Sequence, residues 1–109
     1  MTVRRPGRAV LGALHRAVMR CIVGLTRGTA RELAPYRIRV NAIAPGVTNT
    51  AMPRLGTTEE GLAALAQQMP TGRIAEPEDI ADVIVFLATD EARHIIGQLI
   101  HVNGGDYLA

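Results

Sequence analysis

The side chains able to do chemistry gather in two places. The stretch RVNAIAPGVTNT, residues 39–50, runs from apolar residues into Pro45-Gly46 and then into short hydrogen-bonding side chains, Thr48, Asn49 and Thr50. In an open α/β sheet such a loop sits at the carboxyl end of a strand, where ligands bind. The second place is an amino-terminal helical pattern that carries His15 and Cys21. Cys21 lies on the apolar side of that pattern and is expected as a buried thiol. As the single cysteine it has no internal disulfide partner, and a reducing, cytoplasmic compartment is expected. His94 and His101 have no ligand-like partner spacing, so no metal site is expected. All twelve basic residues are arginine, and there is neither lysine nor serine. Chemistry that needs a lysine amine or a serine hydroxyl has no source within these residues.

The elements that must position these residues follow from periodicity. Leu11, Leu14, Val18, Ile22, Leu25 and Leu33 recur at three- and four-residue steps and predict one helix with an apolar face. Arg16, Arg20, Arg27 and Arg31 form a second stripe, read as solvated or pairing with a partner. Pro35 ends the helix, because proline disfavours helical backbone in the residue before it. IRVNAIA, residues 38–44, reads as a short strand that Pro45-Gly46 stops. Thr57-x-x-Glu60 has capping-box spacing and predicts a short lid helix with Leu62, Leu65 and Met69 on one side. Pro77, Glu78 and Asp79 open a further helix with the right first-turn chemistry. GQLIHVNGG, residues 97–105, predicts a second strand.

Strand, crossover helix and strand imply a right-handed parallel βαβ unit. Two parallel strands are not a stable sheet, and the first would expose an edge. The fold class expected is therefore α/β: a single partial Rossmann-like doubly wound domain over residues 1–109, completed by oligomerisation, by another chain or by a rearranged fold. A composition that is 48% hydrophobic and 3% aromatic requires an aliphatic core. Nine arginines and one acid precede Asn41, whereas nine acids and three arginines follow it. Because the arginines fall within a helical pattern, this asymmetry reads as a basic face meeting an acidic one. On that reading nucleic acid is not the expected partner, and no membrane partner is expected, since no apolar run approaches ~20 residues. The arginine-rich, acid-free start resembles a transit peptide, but it lacks serine and continues straight into the helix.

GLTRGTARELAPYRIRVNAIAPGVTNTAM and EPEDIADVIVFLATDEARHIIGQLIHVNGG resemble the carboxyl-terminal part of the short-chain dehydrogenase/reductase family. That resemblance implies a Rossmann-type fold and hydride transfer between NAD(P) and an alcohol or carbonyl. It places Pro45, Gly46, Thr48 and Thr50 where the family contacts the nicotinamide carboxamide and the phosphates. The alternative is a loop kept with the fold that only turns the chain. It also implies that the lid selects the substrate, with Met52, Leu55, Leu62, Leu65 and Met69 lining an apolar wall for a hydrophobic ligand. Ordinary packing of an amphipathic helix explains the same residues.

The family's glycine-rich turn and its catalytic Tyr-x-x-x-Lys are not matched. Aligned without gaps from Gly24, His15 stands at the tyrosine position and Met19 at the lysine. Aligned on PGRAVLGALHRAV, Leu11 stands at the tyrosine and His15 at the lysine. Either way His15 takes a catalytic position, where a histidine can act as general acid or base. The plainer reading is a surface or packed histidine in an arginine-rich helix. No cofactor is expected for the chain alone, and NAD(P) only by family resemblance. Three functions stay open. One is a partner- or ligand-binding protein without hydride transfer. Another is a small non-redox enzyme, of isomerase or cyclase type, using His15. The third is an oxidoreductase part completed by a separate chain. The expected partner is a second copy or a fuller family member.

Overall fold

The computed structural model describes residues 8–108; the side chains of residues 8–11, Met52 and Arg54 lie outside the described set, as does the backbone of residues 1–7. Helix α1, Arg8–Leu33, leads through a 3-10 turn, Ala34–Tyr36, to strand β1, Ala42–Pro45. Two lid helices follow, α2 (Ala51–Gly56) and α3 (Glu59–Gln68). Then come α4, Pro77–Ala88, a 3-10 turn, Asp90–Ala92, and strand β2, Leu99–Val102. The two strands are parallel, with Ala42 opposite Leu99 and Pro45 opposite Val102. This is a partial Rossmann-like α/β arrangement.

Both strands are shorter than the sequence suggests. Gly97 N–H reaches Val40 O at 2.8 Å, but the left-handed Gly97, φ 69°, bends the partner chain away there, so residues 38–41 stay outside the ladder. Left-handed Gly104 and Gly105, φ 62° and 86°, turn the chain after β2. Pro45 is tolerated inside β1 for a simple reason. Ala42 N–H bonds to Gln98 O just before β2 and Gly46 N–H to Val102 O at its end, so the nitrogen of residue 45 faces the other edge.

Before β1, Arg39 and Asn41 alternate with the apolar positions. Arg39 Nη1 donates to Leu87 O at 2.6 Å and to Ala92 O at 3.0 Å, and Nη2 donates to Thr89 O at 3.1 Å. These are carbonyls left over at the end of α4 and in the turn after it. Asn41 donates to Ile95 O at 2.9 Å and accepts from Gln98 N–H at 3.0 Å. One residue thus locks the crossover helix to the sheet, and the other sets the entry of β2.

The lid differs from expectation in two respects. Residues 51–56 form a helix of their own. The cap of α3 is Thr58, whose Oγ1 accepts from Gly61 N–H at 3.1 Å, one residue later than the Thr57 cap the spacing suggests. Thr57 instead packs over Gly61, where an added methyl group would collide with its Oγ1.

Packing onto the sheet uses a face of α1 that apolarity alone does not select. Met19, Val23, Thr26, Ala30 and Leu33 are buried or half-buried and follow three- and four-residue steps. Ala30 is 1% exposed, and a methyl group on Gly97 would lie 3.4 Å from its Cβ. Small residues on both sides allow this approach. The more apolar stripe faces outward: Leu14 is 57% exposed, Val18 57%, Ile22 43% and Leu25 70%. Cys21 is likewise exposed, which corrects the expected buried thiol: it lies off the face that α1 turns to the sheet.

Among the described residues only Ala30, Leu62, Met69 and Ala92 are buried apolar side chains, with Thr26 beside them. The chain exposes 8671 Å², against roughly 5,900 Å² for a compact monomer of its mass. Uncovered faces of α1 and α4 contribute to the excess, where Leu14, Val18, Leu25, Ile84 and Val85 stay exposed.

Candidate functional site: the loop after strand β1

Gly46 leaves β1 at a point of close approach. A methyl group there would lie 2.8 Å from both Cα and Cβ of Asn103, so the end of β1 needs a glycine to pass the end of β2. This packing requirement holds whether or not a ligand uses the loop. Thr48 Oγ1 donates to Gly46 O at 3.0 Å, and Thr50 N–H donates to Thr48 O at 2.8 Å. The Thr50 hydroxyl makes a longer contact, 3.5 Å, to the same oxygen. Each hydroxyl thereby spends its proton on the backbone and keeps its oxygen as an acceptor. Pro45, Gly46, Val47, Thr48, Thr50 and Pro53 surround an open recess of about 580 Å³.

The loop does not hang free. Thr48 bridges to Ala75 in parallel fashion. Asn49 N–H donates to Ala75 O at 2.7 Å, and Ala75 N–H donates to Val47 O at 2.9 Å. Asn49 Nδ2 donates to both carboxylate oxygens of Glu76, at 3.2 and 3.1 Å. Behind Glu76, Asp79 accepts from the Glu76 backbone N–H at 2.8 Å and pairs with both terminal nitrogens of Arg73 at 2.6 and 3.0 Å. Hydrogen bonds from Arg73 and then from the Glu76 backbone hold the Asp79 carboxyl down at about 2. The sequence does not join Asn49 to Ala75 and Glu76, since these partners stand 26 and 27 positions away.

The lid residues divide. Leu62 and Met69 are buried, Leu65 is half-buried, and Leu55 is 89% exposed. The Met52 side chain lies outside the described residues. Met69 borders a smaller recess of about 240 Å³ on the far side of Val47, together with Thr71, Arg73, Val102 and Gly104. Among the described lid residues, Met69 lines a recess that also touches the loop at Val47.

His15 is exposed on α1, fifteen residues before Ala30, which is about 22 Å along a helix axis. Tyr36 lies in the 3-10 turn after α1, and Tyr107 follows β2, its ring 5.3 Å from that of His101. Neither tyrosine is on α1. Among the described residues no three His, Cys, Asp or Glu side chains converge in a way that could hold a metal ion. No described helix is long and apolar enough to cross a membrane.

A profile of the family described as enoyl-(acyl carrier protein) reductase matches residues 8–106. The chain belongs to the short-chain dehydrogenase/reductase family. Among its relatives, the 3-oxoacyl-[acyl-carrier-protein] reductase FabG of Vibrio cholerae is 42% identical over 87 residues, 80% of this chain and 35% of that protein. The FabG of Aquifex aeolicus is 43% identical over 84 residues, 77% of this chain and 34% of that protein. An uncharacterized oxidoreductase of Bacillus subtilis, YmfI, is 47% identical over 79 residues, 72% of this chain and 32% of that protein. The chain thus spans about a third of the length of these short-chain dehydrogenase/reductase relatives.

Proposed function

We propose that this chain provides the nicotinamide-facing loop and the lid of a short-chain dehydrogenase/reductase site, and that alone it binds a partner or a hydrophobic ligand without transferring hydride. One observation carries the second half of this reading. On α1, where the family resemblance places Tyr-x-x-x-Lys, there is neither tyrosine nor lysine, and both tyrosines of the chain lie elsewhere. The proton donor and the cation that lowers its pKa are both missing from that helix.

The fit to NAD(P) is partial. The Thr48 and Thr50 oxygens are acceptors suited to a carboxamide N–H, and the recess beside them is apolar on its proline and valine sides. No glycine-rich turn for the phosphates precedes them in this sequence. When bound, a nicotinamide cofactor supplies or takes a hydride; the loop's part is to orient the carboxamide. The relatives' names make an acyl chain the hydrophobic ligand class, with Met52, Leu55, Leu62, Leu65 and Met69 as its proposed wall and Met69 lining a recess that touches the loop.

Incubating the pure protein with NADH or NADPH and a 3-oxoacyl thioester tests this. No cofactor oxidation is expected. Steady oxidation that disappears on altering the Thr48–Thr50 loop would overturn the reading.

The open sheet favours a second reading, in which another polypeptide completes the oxidoreductase. The sheet holds only β1 and β2, so each has an edge without a strand partner among the described residues. A fuller family member or a second copy would cover it, and the exposed stripe of α1 gives a second copy its contact. A cytoplasmic setting suits the exposed Cys21 thiol. In the non-redox alternative His15 carries the proton, and His15→Gln would abolish any turnover while leaving assembly intact.

A further inference from the structure

The lid leaves the loop at Thr50 and returns at Ile74, and its two ends are tied together at the base. We infer that Asn49 and Glu76 are positioning residues: their hydrogen bond latches the base of the lid to the loop and sets where the Thr48 and Thr50 hydroxyls stand. Asn49 gives its side-chain amide to Glu76 and its backbone N–H to Ala75, so one residue joins both strands of the closure. Glu76 is itself held. Its backbone N–H is bound by Asp79, which is bound by Arg73 on the returning strand. Arg73 in turn donates to Ile74 O at 3.2 Å and accepts at its own carbonyl from Thr71 Oγ1 at 3.1 Å. On the other side Thr71 packs against Gly104, where a methyl group would lie 2.7 Å from its Oγ1. Movement of the lid therefore pulls directly on the loop, and a ligand that fixes the loop fixes the base of the lid. The inference goes beyond the nicotinamide reading and does not need it.

Reversing the polarity of the hydrogen bond tests the latch without any ligand. Asn49→Asp sets a carboxylate against the Glu76 carboxylate, with Arg73 as partial compensation. Adding Glu76→Gln restores a donor and an acceptor with their roles exchanged. Amide hydrogen exchange on the whole chain reads the closure at residues 49 and 75, and trypsin reads it at the Arg73–Ile74 bond. Asn49→Asp should speed exchange at both amides about fivefold, as fits the loss of one exposed hydrogen bond to a charged acceptor. It should also speed the cut after Arg73 while exchange inside α4 stays unchanged. The double variant should return both to within about twofold of the parent. A double variant as fast as Asn49→Asp, no effect of the single change, or an equal rise throughout α4 would overturn the latch. Cofactor oxidation by the parent protein would sink the functional reading above and leave this result standing.

Discussion

The outward stripe of α1 makes the strongest quantitative demand. Leu14, Val18, Ile22 and Leu25 keep 43–70% of their surface in water. Burying a whole aliphatic side chain is worth about 1.5–3 kcal/mol, so covering the remaining half of each gives about 1 kcal/mol, or about 4 kcal/mol per helix. Two copies packing stripe to stripe gain about 8 kcal/mol before the cost of association, which consumes much of it. Val18→Glu together with Ile22→Glu removes about half of this and places two carboxylates one helical turn apart on each face. Burying such unpaired charges costs several kcal/mol more. Sedimentation velocity from micromolar to about 100 µM is the assay, with circular dichroism to confirm that the fold is kept. The parent should associate and the double variant should sediment as a monomer. Arg20→Glu, on the opposite side of the helix, should change nothing. A parent that stays monomeric across this range, or a double variant that associates like the parent, would refute the reasoning.

Arg39→Ala should cost about 2–3 kcal/mol in urea denaturation at fixed protein concentration, because three carbonyls lose a charged donor; Arg39→Lys should recover only part, since an ammonium lacks the planar fork. Gly46→Ala should cost about 1–3 kcal/mol, because the methyl meets Asn103 backbone that has little room to yield, and nuclear magnetic resonance should show the shift at both Gly46 and Asn103. The Asp79 carboxyl is depressed from 3.8 to about 2 in the folded chain, so the stability it adds is present above pH 4 and lost as pH falls toward 2. The stability gap between the parent and Asp79→Asn should close across that window, and a gap that persists at pH 2 would contradict the Arg73 pairing.

Much of the framework is legible in the sequence because period and breakers carry it. The 3.6 repeat from Leu11 to Leu33 gives α1, Pro77 with its acidic neighbours gives α4, and the β-branched runs ending at Pro45-Gly46 and Gly104-Gly105 give two parallel strands. What is not legible is which face of a helix meets the sheet. The stripe from Leu14 to Leu25 is the most apolar on α1, yet Ala30 and Thr26 make the close contact, because small side chains let α1 approach Gly97. Hydrophobicity ranks faces by their wish to leave water and says nothing about which partner is present. The lid shows the same limit. Thr57 and Thr58 are equivalent as caps until Gly61 is placed beneath one of them. At the site, Pro45, Gly46, Thr48 and Thr50 come together as a local run must. Asn49 and Glu76, 27 positions apart, meet only because the lid returns to its own base. Arg39 and Asn41 offered a signal, polar residues at alternate positions entering an apolar strand, but their targets at Leu87, Thr89 and Ile95 depend on the packing of α4.

The most direct test of the central claim is a cofactor titration with the pure chain. NADPH fluorescence and absorbance are followed as protein is added, first alone and then with a 3-oxoacyl thioester. The account predicts no loss of NADPH absorbance at any protein concentration, with or without the thioester. Sustained, protein-dependent oxidation of NADPH, removed by substituting Thr48 and Thr50, would contradict it.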